Sequence, residues 1–112
     1  MSSAAPTLRS VMDAAARIAP HVHRTPLHRS SALDAHTGYS LFFKCESFQR
    51  TGSFKIRGAT NAIFSLSEDA AARGVVTQSS GNHGMAVALA ARLRGIEAHV
   101  VVPCVTLPRP FF

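Results

Sequence analysis

The sequence predicts an α/β fold built on a parallel sheet. A short apolar strand at 75–78 is followed by an apolar helix at 83–94 and then by a second apolar strand at 96–102. A strand, a helix and a strand in this order form a βαβ unit, whose two strands run parallel. The apolar share of 46% indicates a globular chain rather than a disordered one.

The N-terminal region begins with a predicted helix. Residues 7–19 repeat apolar side chains at helical spacing, with Pro6 near the first helical position and Pro20 as a stop. This pattern predicts an amphipathic helix that packs through its apolar face. The dipeptide Thr25-Pro26 then predicts extended backbone, because the residue before a proline avoids the helical region.

A short helix and an aromatic strand come next. Ser30 or Ser31 is predicted to cap the helix, and Gly38 is predicted to end it. Residues 39–45 are rich in aromatic side chains and predict a strand that leads into the following loop.

The central part of the chain predicts two further helices. Residues 54–66 carry apolar side chains at helical spacing. Ser67 is predicted to cap a short helix over 68–73, which Gly74 ends. Gly95 is expected to end the helix of the βαβ unit in the same way.

Lys55 has an unusual electrostatic position. The turn residues Thr51, Gly52 and Ser53 precede an apolar helix, so Ser53 is predicted as its N-cap and Lys55 lies in the first turn. The positive end of a helix dipole disfavours a protonated ammonium and favours a neutral amine. A neutral lysine is a nucleophile towards aldehydes, and its most common biological use is a Schiff base with pyridoxal phosphate. Alone, however, such a lysine is more often a solvated surface residue.

A second loop, Ser-Ser-Gly-Asn-His-Gly at 79–84, lies at the carboxyl end of the first predicted strand of the unit. Ligands bind at this place in open α/β sheets. Backbone N–H groups at the start of the helix favour an anion, and Gly81 and Gly84 are expected to let the backbone approach it closely. Alone, the loop could be an ordinary turn and cap, and His83 an ordinary structural histidine.

Together, the motif Ser-Phe-Lys-Ile-Arg-Gly at 53–58 and the loop at 79–84 resemble the fold-type II pyridoxal-phosphate enzymes. The resemblance is closest to the serine racemase and serine/threonine dehydratase branch, and it runs from about 7 to 103. It implies a three-layer αβα fold with a parallel sheet, similar to the β subunit of tryptophan synthase, of which this chain holds only the N-terminal part.

The resemblance also divides the chain. It implies that residues 1–46 belong to the large domain of the family and that residues 47–103 form part of the small pyridoxal-phosphate domain. Residues 104–112 do not match the family and are interpreted as a divergent tail.

The resemblance implies a role for each residue of the two motifs. Lys55 would hold pyridoxal phosphate covalently and act as a base on one face of the substrate α-carbon, with Phe54 beside the cofactor ring. Ser80 matches the acid or base on the opposite face, and Asn82 matches the residue that hydrogen-bonds the phenolic oxygen of the cofactor. The residues implied to surround the substrate carboxylate are Ser79, Ser80, Asn82 and His83.

The implied activity is racemisation of serine, or β-elimination of serine or threonine to a keto acid and ammonia. Two bases on opposite faces permit inversion, whereas one base and a leaving β-hydroxyl give elimination, and the sequence leaves this choice open. In the family a later glycine-rich loop holds the cofactor phosphate, so the isolated chain is expected to have little or no activity. The alternative is a truncated, non-catalytic product that pairs with a full-length relative or is degraded.

The racemase branch also implies allosteric ligands, ATP and Mg²⁺, in the full-length protein. The residues that would touch the nucleotide are Ser30, Ser31, Ala32, Arg50 and Thr51. An alternative is that the two serines only cap a helix. The family usually forms homodimers and acts on a small amino-acid substrate.

Composition favours a soluble cytoplasmic protein without a membrane span, since no apolar run reaches the ~18 residues needed. The net charge is +6 at pH 7, but the cations are spread along the chain, so no nucleic-acid partner is expected. Cys45 and Cys104 lack metal-ligand spacing, and His21, His23 and His28 have no carboxylate or thiolate beside them. No metal site is therefore predicted.

Overall fold

The computed structural model describes residues 5–104. The helices are α1 (Leu8–Ile18), α2 (Ser31–Thr37), α3 (Lys55–Phe64), α4 (Glu68–Ala72) and α5 (Asn82–Arg94), and two 3₁₀ turns, Glu46–Phe48 and Arg50–Gly52, precede α3. The strands are β1 (Leu27–His28), β2 (Phe43–Lys44), β3 (Val75–Gln78) and β4 (Ala98–Val101). Of the predicted tail at 104–112, only Cys104 lies inside the described residues.

The predicted βαβ unit is confirmed. Strands β3 and β4 pair in parallel, from Val75 opposite Ala98 to Gln78 opposite Val101. Helix α5 connects them and packs against both. The second strand is shorter than the predicted 96–102, because Ile96 belongs to the end of α5. The backbone N–H of Ile96 donates to the Ala91 carbonyl, the outer hydrogen bond of a Schellman motif.

The core lies between α3 and α5. Its buried residues are Ile56, Ala59, Ile63, Ala86, Val87, Ala90 and Ala91. Residues 85–91 are apolar on all sides of the helix, which predicts a largely buried α5, but Ala88 and Leu93 on its other side are exposed. That part of the prediction is wrong, because the described residues cover one side of α5 and leave the other side exposed.

Arg94 joins the carboxyl ends of α3 and α5. Its guanidinium, on a side chain that is only 11% exposed, donates to the carbonyl oxygens of Ile63 and Leu66 and to the carboxylate of Glu68. Helices α3 and α5 pack against each other through one core that includes Ile56, at the start of α3, and Ala86, in the first half of α5. Because their carboxyl ends also meet at Arg94, the two helices run in the same direction. The amino ends of α3 and α5 therefore lie at the same end of the helix pair.

The predicted helix at 7–19 is confirmed as α1, with Thr7 as N-cap in a capping box with Ser10. Its predicted packing face is not confirmed within residues 5–104. Leu8, Val11 and Met12 are exposed, and Ile18 is the residue of α1 that is buried.

The strand predicted at 39–45 is reduced to β2, which pairs antiparallel with β1. The preceding backbone is bonded to side chains instead of to a neighbouring strand. Leu41 N–H donates to an Asp34 carboxylate oxygen at 2.7 Å, and Tyr39 N–H donates to the Thr37 hydroxyl at 3.4 Å. Side-chain acceptors thus replace the ladder that the aromatic pattern predicts.

Four predicted helix boundaries are confirmed. The Ser30 hydroxyl accepts from Leu33 N–H at the start of α2, and the Ser67 hydroxyl accepts from Ala70 N–H at the start of α4. Gly38 and Gly74 follow these helices with φ values of 74° and 72°. Within the described residues, no helix is both long and apolar enough to cross a bilayer.

Thr60 gives a stability prediction. It lies on α3 with no exposed surface, and its hydroxyl has no hydrogen-bond partner among residues 5–104. Thr60→Val replaces this hydroxyl by a methyl group of similar shape, so we expect a gain of about 1 kcal/mol in unfolding free energy. Urea denaturation measures it.

Thr25→Val is the matched control for that substitution. Thr25 is also buried, but its hydroxyl donates to Glu46 at 2.6 Å, so the same change should destabilise the chain. A loss of stability in Thr60→Val would contradict the prediction.

Candidate functional site

Lys55 is the first residue of α3, and its side chain is exposed. Its ammonium lies 5.3 Å from the centroid of the exposed Phe54 ring. The prediction that Lys55 occupies the first turn of a helix is therefore confirmed. An exposed amine beside an aromatic face is accessible to an aldehyde.

The prediction that Ser53 caps this helix is wrong. Phe54 flanks α3, and no side chain caps its amino end. The Ser53 hydroxyl is buried and has no hydrogen-bond partner within the described part of the chain. The backbone N–H groups in the first turn of α3 therefore receive no side-chain acceptor.

The second motif occupies the junction between β3 and α5. Ser79 N–H donates to the Val101 carbonyl, which extends the sheet, and the Ser79 hydroxyl accepts from Gly81 N–H at 3.2 Å. Ser80, Asn82 and His83 are exposed. No side chain caps α5, and no acidic residue lies in its first turn, so this helix start can receive an anion.

The two glycines of this loop have different roles. A Cβ at Gly81 would meet no atom within 4 Å, so the backbone there is open to a ligand. A Cβ at Gly84 would lie 3.0 Å from Val100 and 3.1 Å from the Ser79 carbonyl. The missing side chain of Gly84 therefore makes room for the strand and for the Ser79 backbone, and its role beside an anion stays a prediction.

The structure brings both motifs to one end of the α3–α5 pair. Among the described residues, no hydrogen bond connects Lys55 to the loop at 79–84. A cavity of about 480 Å³ lies instead near the carboxyl ends of the helices, where Phe64 and Arg94 line it. The shared cleft between the two motifs stays a prediction.

The residues of the implied nucleotide site fall into two groups. Ser30 caps α2, and Ser31 and Ala32 follow it, exposed at the helix start. Arg50 donates to the His21 carbonyl at 3.1 Å, and Thr51 has a left-handed backbone with φ 61°. No hydrogen bond joins the two groups in the described part of the chain.

Sequence reasoning missed a polar cluster at the start of α3. We call it the Glu46 cluster, and its members are Thr25, Lys44, Glu46 and Arg57. Arg57 donates from Nε and Nη2 to the two carboxylate oxygens of Glu46, at 2.8 and 2.7 Å. Thr25 donates its hydroxyl to Glu46 at 2.6 Å, and Lys44 donates to the Thr25 carbonyl at 2.6 Å. A signal was present, since Glu46 is one of only six acidic residues in the chain.

The Glu46 cluster changes the acidity of its members. The hydrogen bonds from Arg57 lower the pKa of Glu46 from its usual 4.5 to about 2; partial burial opposes this, and the Thr25 hydroxyl adds to it. The same pairing raises the pKa of Arg57. Both groups are therefore ionised at neutral pH.

The exposed groups around the motifs fit part of a pyridoxal phosphate molecule. Lys55 offers an amine, Phe54 offers an aromatic face, and the open backbone at Gly81 leaves room for a ligand. Asn82 and Ser80 are exposed polar side chains at the same helix start. Among the described residues, no group of three or more metal-ligating side chains is gathered at one point.

The chain belongs to the pyridoxal-phosphate dependent enzymes, whose family model matches residues 18–109. The structure is an α/β fragment of the fold of these enzymes.

Three known proteins are similar to this chain. The chain is 60% identical over 96 residues to a serine racemase of Oryza sativa subsp. indica, which covers 86% of this chain and 28% of the relative. It is 53% identical over 98 residues to a beta-hydroxyaspartate dehydratase of Paracoccus denitrificans, covering 88% of this chain and 31% of that protein. The solved structure of maize serine racemase superposes with a TM-score of 0.86 at 59% identity, covering 89% of this chain and 31% of that one. The chain thus spans less than a third of the length of these relatives.

Proposed function

We propose that this chain carries the lysine and the carboxylate-binding loop of a pyridoxal-phosphate enzyme that racemises serine or eliminates the β-hydroxyl of serine or threonine. One observation carries the proposal: the two motifs begin two helices that run in the same direction from one end. The names of the relatives include a racemase and a dehydratase and support both reactions.

The cofactor supplies an electron sink that stabilises negative charge at the substrate α-carbon. The residues of the chain supply the positions. Lys55 would hold the cofactor and move a proton at the α-carbon on one face, and Phe54 would lie beside the ring. Ser80 holds or moves a proton on the opposite face, which is what inversion requires.

The start of α5 orients the substrate. Asn82, the first residue of α5, lies at the positive end of that helix and would donate its amide to the phenolic oxygen of the cofactor. Ser79, Ser80, Asn82 and His83 bind the substrate carboxylate. The absence of an acid in the first turn of α5 supports this assignment, because a carboxylate there would repel the substrate.

Further features of the whole protein belong to the same proposal. We assign residues 1–46 to a large domain and 47–103 to a small domain, as in the family resemblance. ATP and Mg²⁺ as allosteric ligands, with contacts at Ser30–Ala32 and at Arg50 and Thr51, and a homodimeric assembly are proposed on the same ground.

A second candidate function is a non-catalytic chain that pairs with a longer relative. It is favoured by exposed apolar side chains on α1 and on the parallel sheet. Leu8 and Val76 are 78% and 73% exposed, although parallel strands are normally covered on both faces.

The first test uses the fact that Lys44 and Lys55 are the only two lysines in the sequence. The chain is mixed with pyridoxal phosphate, reduced with borohydride and mapped by mass spectrometry. We expect Lys55 to be labelled about ten times faster than Lys44, because Lys44 is held by the Thr25 carbonyl, whereas Lys55 lies beside Phe54 at an open helix start.

Two controls separate binding from simple accessibility. Acetaldehyde has no ring or phosphate to orient, so with the same reductant it should favour Lys55 over Lys44 clearly less than pyridoxal phosphate does, by the hydrogen bond of Lys44 alone. Lys55→Arg should keep the charge but lose the label. Labelling of Lys44 in preference to Lys55 would contradict the proposed role of Lys55.

Adding L-serine separates the two candidate functions. Label at Lys55 that L-serine releases, with little or no D-serine or pyruvate formed by the isolated chain, supports the enzyme site. An unlabelled chain that becomes resistant to proteolysis only when mixed with maize serine racemase supports the pairing function.

A further inference from the structure

We propose that Glu46 is a positioning residue for Lys55: it holds Arg57, and through Arg57 it fixes the first turn of α3, from which the Lys55 amine reaches the cofactor. This inference rests on the proposed function for the identity of the reacting amine. The contacts that carry it do not depend on that identity.

The Glu46–Arg57 pair has the geometry of a strong contact. Two parallel N–H···O bonds, of 2.8 and 2.7 Å, join the guanidinium fork to both carboxylate oxygens. The two side chains are 20% and 32% exposed, so solvent screens the pair only in part. A bidentate pair fixes orientation as well as distance, which a lysine in place of Arg57 could not do.

The helix geometry connects this pair to Lys55. Successive residues of an α-helix are separated by about 100° around the axis, so Lys55, Ile56 and Arg57 point in three different directions. Ile56 is fully buried in the core, and Arg57 is held by Glu46. Because the side chains of Ile56 and Arg57 are both fixed, the rotation of the first turn is fixed, and Lys55 points outward at a defined angle.

The contact between Glu46 and Arg57 is important because no cap holds the first turn of α3. No side chain caps it, and no acidic residue lies in its first turn. An uncapped helix end frays readily. The contact between Arg57 and Glu46 holds the first turn of α3 in place through a side chain on its flank, as a capping side chain would at its end.

Glu46 is itself held in place by the segment before β1. Thr25 donates its hydroxyl to Glu46, and Lys44 donates to the Thr25 carbonyl. The Gln49 side chain accepts from His23 N–H and donates to the His23 carbonyl, both at 2.8 Å. The Glu46 cluster therefore ties the start of α3 to the preceding part of the chain and is not carried on a free loop.

The test compares Glu46→Gln with Glu68→Gln, which removes the charge of another arginine-paired carboxylate, near the far end of α3. Labelling of Lys55 by pyridoxal phosphate should slow roughly fivefold in Glu46→Gln and stay unchanged in Glu68→Gln. Labelling of Lys55 by acetaldehyde, which needs no orientation, should be the same in all variants. Unchanged labelling of Lys55 by pyridoxal phosphate in a folded Glu46→Gln chain, or an equal slowing with both aldehydes, would overturn the inference.

A double-mutant cycle tests whether Glu46 acts through Arg57. Glu46→Gln, Arg57→Met and the double variant should all slow the labelling by about the same factor, because each breaks one contact. Glu46→Asp, which keeps the carboxylate, should restore part of the rate. Independent effects that multiply in the double variant would overturn the inference.

Labelling of a residue other than Lys55 would count against the proposed function. In that case the inference about Glu46 is still tested by hydrogen exchange, which does not depend on the reacting amine. Exchange of the amides at 59–61, which donate to the carbonyls of 55–57 in an α-helix, should be roughly tenfold faster in Glu46→Gln than in Glu68→Gln, since the first turn opens more often. Equal exchange in both variants would overturn the inference. If Glu46→Gln does not fold, Glu46→Asp is measured in its place, with a smaller increase expected.

Discussion

Gly74→Ala is expected to lower the unfolding free energy by about 3 kcal/mol, a large part of the stability of a domain of this size. Gly74 has a φ of 72°, and an added Cβ would lie 2.9 Å from the backbone carbonyl oxygen of Glu97. That oxygen accepts the hydrogen bond from Val75 N–H at the start of β3. The substitution therefore adds a left-handed alanine and pushes apart the first bond of the parallel pair.

Gly95→Ala is the matched control for this substitution. Gly95 ends α5 with a φ of 74°, but a Cβ there would meet no atom within 4 Å. It should cost only about 1 kcal/mol, the penalty of the left-handed backbone alone. Urea denaturation of both variants measures the difference, and equal losses would show that the contact with Glu97 has no energetic weight.

Acid is expected to destabilise the chain through Glu46. Since the pKa of Glu46 falls from 4.5 to about 2 in the folded chain, folding favours its ionised form. Its contribution is complete above about pH 4.5 and is lost as the pH falls towards 2. After allowance for solvent screening, this contribution is about 1 to 2 kcal/mol.

Glu46→Gln isolates this contribution, because it cannot titrate. The difference in unfolding free energy between the original chain and Glu46→Gln should be greatest near neutral pH and should shrink steadily below about pH 4.5. Urea denaturation across this range measures it. A difference that stays constant down to about pH 2 would mean that the ionised carboxylate is not the stabilising form.

Local signals in the sequence were enough for much of the fold. Ser30 and Ser67 cap helices, Gly38 and Gly74 follow them, and β3 has the predicted bounds because each feature depends on a few adjacent residues. The placement of Lys55 at a helix start follows from the same kind of pattern. What these signals locate is the position of an element along the chain.

Features that depend on distant residues were not predicted. The bond between Thr25 and Glu46 spans 21 positions and leaves no periodic pattern in the sequence. Ser53 has the residue type of a cap, but its hydroxyl is buried without a partner in the described chain. For Gly84, the neighbour that fills the space is Val100, on a strand that follows the helix, so a local reading could not reveal its role.

The hydrogen bonds of Arg94 at the carboxyl ends of α3 and α5 fix the rotation of each helix about its own axis, and so the direction in which Asn82 points relative to Lys55. With those ends fixed, one residue inserted within α5 would turn Asn82 by about 100° and shift it by about 1.5 Å relative to Lys55. Extra residues after Leu66, in the connection between α3 and α4, would leave this rotation unchanged, because they lie outside both helices and beyond the carbonyls that Arg94 binds. Among natural variants of this region, length changes should therefore be found between the helices and not within them.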